Sequence, residues 1–201
     1  LFFMKKLYIL ILVALTTLSS TAQIINFPDA NLKAKLLQPY VAWDITESDG
    51  YIFIDSNNDG EIEVSEAQVV LGLDISNSNI SDLTGLSYFT ALEYLDCSNN
   101  QLISINLGNE VSLSTLIASH NQLTSVNVNY STQMGYLNLS YNNLTSFSLA
   151  NVIIEENLNL SYNNLSSFVG SNIHVYEYFS LSDNLLINLQ INNCSSKYFF
   201  V

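Results

Sequence analysis

An asparagine recurs at positions 100, 121, 142, 163 and 184, a strict interval of 21 residues. No other feature constrains the fold so tightly, because a fixed period of this length marks a stack of similar turns. Around each Asn the chain reads alike: Leu95-Asp96-Cys97-Ser98-Asn99-Asn100-Gln101-Leu102, then Leu116 to Leu123, Leu137 to Leu144, Leu158 to Leu165 and Phe179 to Leu186. A degenerate first copy, Leu73 to Ile80, lies 22 residues ahead with Ser78 in the Asn place. Alternating apolar residues in a short extended segment point to one face, which makes Leu137 and Leu139 core and leaves Tyr136, Asn138 and Ser140 outside. The Asn then bends the chain, its amide offering donors and an acceptor to backbone groups that the bend would leave unpaired. One such turn cannot bury its own apolar edge, so stability has to come from stacking.

A second, weaker alternation follows in each copy: Ile105-x-Leu107, Val126-x-Val128, Phe147-x-Leu149 and Leu189-x-Ile191. It predicts an extended convex side with little room for helix. Phe168-Val169-Gly170 breaks this alternation, and a local irregularity is expected there.

The repeat resembles the leucine-rich-repeat family, and its 21-residue form with Asp-Cys-Ser-Asn-Asn-Gln-Leu is similar to the short repeats of exported proteins from Bacteroidetes-type bacteria. The resemblance covers about residues 70–201. It implies a right-handed leucine-rich-repeat β-solenoid with a parallel sheet on its concave face, used to bind a protein or glycan ligand. Phe200 falls in the phase of the first Leu of another copy, so the chain is read as stopping in mid-repeat. The alternative reading is thus a non-catalytic repeat or targeting region of a larger exported enzyme or adhesin.

Met4-Lys5-Lys6, the apolar run Leu7 to Leu15 and the small polar residues to Ala22 have the order of a secretory signal peptide, with cleavage after Ala22. The run is too short to span a bilayer, which needs about 20 apolar residues. The expected organisation is a signal peptide at 1–22, a small helical N-terminal cap at 23–70 and repeats at 71–201, in a secreted or cell-surface protein without a transmembrane segment in the mature chain. With 18 Asp and Glu against 5 Lys and no Arg, two of the lysines in the signal segment, the mature chain carries 3 minus 18, or −15. Nucleic-acid binding needs a cationic footprint and is excluded on that ground. Cys97 and Cys194 would sit about 4.6 turns apart, roughly 20 Å against the ~7 Å limit of a bridged pair, and are read as free thiols.

Nine of the acids crowd the stretch from Asp29 to Glu66. Within it, residues 55–66 fit D-x-[DN]-x-[DN]-G-x5-E at every specified position. A hard cation takes six to eight oxygens. The spacing offers the side chains of Asp55, Asn57, Asp59 and Glu66 and the backbone carbonyl of Glu61, with Gly60 allowing the sharp turn. By resemblance this is an EF-hand or dockerin type of loop holding calcium, Ca2+. The alternative is a solvated Asn-Asp-Gly turn ahead of a helix at residues 63–70. The incoming Tyr51 to Ile54 reads as strand, and a helix is expected over Pro28 to Leu37 with Pro28 in its first turn. The arrangement points to a structural cap more than to a calcium sensor.

Stacking turns each exposed position into a column. One runs Tyr94, Thr115, Tyr136, Asn157, Tyr178; the next Asp96, Ile117, Asn138, Asn159, Ser180; a third is Ser98, Ser119, Ser140, Ser161, Ser182; beside the ladder Asn run Asn99, His120, Tyr141, Tyr162, Asp183. Tyr94, Tyr136, Asn138, Tyr141, Asn159, Tyr162 and Tyr178 are the candidate binding surface, since a rigid amphipathic ring gives contact area at low entropy cost. Tyrosine also simply suits strands, and the Ser column reads as structural. The histidines, His120 and His174, have no Cys or carboxylate in the same column of a neighbouring turn, so no catalytic residues are expected.

Overall fold

The computed structural model describes residues 22–44, 50–108, 111–127 and 129–201; the signal-peptide reading falls almost wholly on residues 1–21, outside the described residues, as does Val128. The chain is a parallel β-solenoid. One short strand per turn, Gly72–Asp74, Tyr94–Asp96, Thr115–Ile117, Tyr136–Asn138, Asn157–Asn159 and the end of Ser167–Ser180, builds a parallel sheet. Its register is the sequence period: Leu95 pairs with Leu116, Leu116 with Leu137, Leu137 with Leu158 and Leu158 with Phe179. These side chains are fully or almost fully buried in one continuous core with Leu139, Leu144, Leu160 and Leu165. Each such burial stabilises by about 1.5–3 kcal/mol.

The asparagines tie one turn to the turn before it. The Asn142 amide donates to the carbonyls of Leu139 and Ser140 in its own bend at 3.1 and 3.2 Å and to Ala118 in the preceding turn at 2.9 Å, while its Oδ1 accepts from Leu123 N at 2.9 Å. Asn121, Asn163 and Asn184 repeat the same set. Asn100 differs in a way the 22-residue spacing of the first copy explains: its Oδ1 accepts from both Ser78 N and Ile80 N, at 3.1 and 2.9 Å. The residue before each ladder Asn is left-handed, with φ between 53° and 55° at Asn99, His120, Tyr141, Tyr162 and Asp183.

The convex side is extended, as expected, in Ser104–Asn106, Ser125–Asn127, Ser146–Ile154, the start of Ser167–Ser180 and Asn188–Asn192. The irregularity expected at Phe168-Val169-Gly170 is absent. Gly170 pairs in step with Leu149 and Ile191, and a Cβ there would lie 2.8 Å from the Phe168 ring and 2.9 Å from Ile173 Cδ1, so those side chains fill the space its neighbours' side chains occupy. The register slips elsewhere, between Val175 and Tyr178 in the pairing with Ser195–Phe200. The slip places Phe199, not Phe200, beside Phe179, their rings 4.8 Å apart, and overturns the phase read from the period.

The cap is helical only in part. Its helix spans Ala30–Leu36, shorter than expected because Asp29, not Pro28, starts it: the Asp29 carboxylate accepts from Asn31 N and Leu32 N. Two antiparallel strands, Ala42–Trp43 and Tyr51–Ile52, extend the sheet beyond Gly72–Asp74 and cover its first edge. The strand expected over Tyr51 to Ile54 ends at Ile52. A second helix is one turn, Val64–Ala67. Cys97, buried in a core position, and the half-buried Cys194 are free. Burial pushes the Cys97 thiol far above its usual value. Among the described residues no helix is long and apolar enough to cross a membrane.

Asp29 also joins cap to repeats, its other oxygen accepting from Ser81 N, Ser81 Oγ and Asp82 N at 2.7, 2.9 and 3.1 Å. Burial opposes ionisation, but the hydrogen bonds from Ser81, Leu32 and Asn31 outweigh it and hold the carboxyl below its ordinary value. A depressed folded-state value means stability that is present above about pH 4 and lost as pH falls through the lower value. Asp29→Ala is expected to weaken the cap by about 1–2 kcal/mol, and Asp29→Asn to flatten this acid limb of the denaturation midpoint. In the solenoid, Leu139→Ala should cost about 2–5 kcal/mol as a core cavity and Asn142→Ala about 1–3 kcal/mol through unpaired backbone groups. Urea denaturation followed by circular dichroism checks both; melting like the parent would show the register to be wrong.

Candidate functional site

The candidate residues fall into three groups. In the first, strict register brings Tyr94, Thr115, Tyr136, Asn157 and Tyr178 into one column across the strands of successive turns. Large and small residues alternate along it, and the gaps over the small ones are clefts. One, of about 350 Å³, is lined by Tyr94, Thr115, Ile117, Gly135, Tyr136, Asn138 and Glu156. The other, of about 300 Å³, lies between Tyr136 and Tyr178, with Asn157, Asn159 and Ser180 in its lining. Tyr136 is the wall they share. Burial pushes the Tyr94 hydroxyl up, with the Asp96 and Asp74 charges adding to it; burial also raises that of Tyr136 against a hydrogen bond from Asn138, with a smaller push from Glu156. Both phenols therefore stay protonated and can donate.

Both ends of the column are closed by aromatic rings. Trp43 lies against Tyr94 with centroids 4.9 Å apart, and Tyr198 stacks on Tyr178 at 5.0 Å. Trp43 reaches that place because Gly72, paired with Tyr94, has no side chain: a Cβ there would sit 2.0 Å from the indole. Sequence reasoning missed Trp43, Tyr198 and Glu156; the signal available for Trp43 was a glycine in the phase of the tyrosines.

Asn138 and Asn159 do double duty. The Oδ1 of each accepts from the backbone N–H and hydroxyl of the Ser two residues on, Ser140 and Ser161, at 3.0 and 2.7 Å. The amide oxygens are thus committed to the bend, which also accounts for the burial of Ser140 and Ser161.

Tyr141 and Tyr162 are not in the clefts. They sit at the left-handed corner positions and stack face to face, His120 on Tyr141 at 4.2 Å and Tyr141 on Tyr162 at 4.3 Å. The shared faces cover one another, so this row presents mainly ring edges. The Asp183 carboxylate, with Tyr141, pushes the Tyr162 hydroxyl up.

The acidic loop forms the third group. Its backbone fits a cation loop, with left-handed Asn58 and Gly60. Asp55 accepts from Asp59 N and Gly60 N, Asn57 from Asp59 N, and Asp59 from Glu61 N. The side chains fit less well. The Glu61 carboxylate pairs with Lys33 at 2.7 Å, which leaves its carbonyl for the predicted role. Both oxygens of Glu66 are engaged, Oε1 by Ser56 N and Ser56 Oγ and Oε2 by Glu63 N. Burial opposes ionisation of Glu66, but bonds from Glu63 and Ser56 hold it below its usual value, while Glu63 is raised by sharing a hydrogen bond with Glu66. Among the described residues no three His, Cys, Asp or Glu side chains gather as a metal-holding group.

His174 meets Ser195 Oγ and stacks edge-on with Tyr176, and His120 meets Tyr141. No family model matches the chain, and no curated protein does. Among solved structures it is similar to an internalin from Listeria monocytogenes, with 16% identity over 90% of this chain and 74% of that one and a TM-score of 0.44.

Proposed function

We propose that this chain is an exported, non-catalytic binding module, secreted or held at a cell surface, whose concave tyrosine column contacts a protein or glycan ligand. The observation that carries the reading is the pair of clefts along Tyr94, Tyr136 and Tyr178. They combine half-exposed rings with amides and hydroxyls on strands that the Asn ladder holds rigid. A rigid scaffold lets such rings bind without a large ordering cost. The experiment is a pull-down or array screen followed by titration of the ligand found. Tyr136→Ala should weaken binding at least several-fold with an unchanged melting curve, and the convex Ser148→Ala should leave it unaltered. Binding lost only through convex substitutions would overturn the assignment.

The cap has its own proposed ligand, a structural Ca2+ held by Asp55, Asn57, Asp59, the Glu61 carbonyl and Glu66. The support is the matched spacing and the turn at Asn58 and Gly60. Glu66 would have to exchange its bonds to Ser56 and Glu63 for the ion. Extracellular modules of this type bind at about 10⁻⁴–10⁻³ M, and binding to the native state alone adds roughly 1–3 kcal/mol at ten to a hundred times Kd. Calorimetric titration of the metal-free protein should give heat and a higher melting temperature, both lost in Asp55→Asn/Glu66→Gln. Neither effect by about 10 mM, well above that affinity range, would leave only a hydrogen-bonded turn.

A further inference from the structure

We infer that the ligand of the tyrosine column is a neutral, linear glycan whose repeating unit is two pyranose rings, an inference that rests on the binding-module reading above. The first ground is period. Tyrosines stand on alternate turns, with Thr115 and Asn157 between them, so the two clefts repeat every two strand spacings, about 10 Å. Each ring of an extended pyranose chain advances by about one strand spacing, and chains with alternate rings turned over repeat after two. A polymer with that repeat meets the same surroundings in both clefts. An irregular protein surface has no such match to two similar clefts in fixed succession.

The second ground is chemistry. A pyranose has a C–H face and a rim of hydroxyls, and C–H groups pack favourably on the negative face of an aromatic ring. Beside the rings, Asn138, Asn157 and Asn159 have their Oδ1 atoms held by Ser140 N, Tyr178 N and Ser161 N; the Asn138 amide bonds the Tyr136 hydroxyl, and among the described residues the NH2 groups of Asn157 and Asn159 have no protein acceptor. Both clefts therefore offer donors, and the Glu156 carboxylate adds an acceptor in the first. Hydroxyls, which donate and accept, complement both.

Third, charge and backbone narrow the class. Neither cleft has Lys or Arg in its lining, and Asp74 and Asp96 lie close enough to raise Tyr94, so sulfated or carboxylated glycans are disfavoured. An extended peptide anchored at every third residue would also repeat at about 10 Å. It could not add as a strand, however, because backbone N–H and C=O groups of these central strands are paired with neighbouring turns.

The test is titration of the protein with neutral β-1,4-linked glucose and N-acetylglucosamine oligomers of two to six rings. Affinity should rise from two rings to four, the length that the two clefts between Tyr94 and Tyr178 take. Tyr136→Ala, the shared wall, should weaken the four-ring oligomer about ten-fold or more. Thr115→Tyr, which fills the first cleft with the residue its neighbouring turns carry, should reduce it to two-ring affinity, while the convex Ser148→Ala should bind like the parent. Absence of binding at about 10 mM, or parental binding by both Tyr136→Ala and Thr115→Tyr, would overturn the glycan inference. If the parent captures a protein that Tyr136→Ala releases, the glycan inference falls and the binding-module reading stands. A ligand indifferent to every substitution in the column would remove both.

Discussion

The structure depends on one side-chain amide per turn. Each ladder Asn closes its own bend and at the same time binds a carbonyl and an N–H of the preceding turn, so bend and stack are held by the same group. Those backbone groups are buried and turned away from the sheet, and leaving them unpaired costs more than the bonds return individually. The register is consequently pinned at 21 residues between successive ladder Asn residues, from Leu95 to Phe179. Away from the ladder it departs from that interval, between Ser112 and Asn129, between Gln133 and Ile153, and past Val175, where Phe199 takes the place beside Phe179.

Fixed register turns a one-dimensional spacing into a surface. Because Tyr136 and Tyr178 are 42 positions apart in the chain, they are two strands apart in the sheet, and the small residue between them leaves a cleft and not a smooth face. The same bend commits the Oδ1 of Asn138 and Asn159 to serines, which turns the Asn138 amide to the Tyr136 hydroxyl and leaves that of Asn159 to a ligand. Scaffold and binding chemistry are thus linked: a residue that shapes the bend also sets which of its atoms a ligand can meet.

The cap solves a different problem. A parallel solenoid ends in an open sheet edge and an open core, and two antiparallel strands with one short helix cover both. Asp29 holds that cover with five accepted hydrogen bonds, two to its own helix and three to Ser81 and Asp82. Trp43 extends the cap onto the concave face.

Period and alternation alone determined the solenoid, its inward leucines, the Asn ladder, the extended convex side and the membership of each column, because stacking identical turns requires only local patterns that repeat. Spacing likewise named the acidic loop, but not where its carboxylates would go. Tertiary structure decided what depends on contacts between different parts of the chain. The gap at Gly170 is filled by Phe168 and Ile173 from its own strand, so no irregularity forms. Glu66 turns to Ser56 and Glu63, because N–H and O–H donors lie within its reach. Trp43 closes the tyrosine column across the empty Cβ position of Gly72, a contact between cap and repeat. Tyr141 and Tyr162 belong by sequence with the other tyrosines, yet the left-handed corner that places them stacks one on the other outside the clefts.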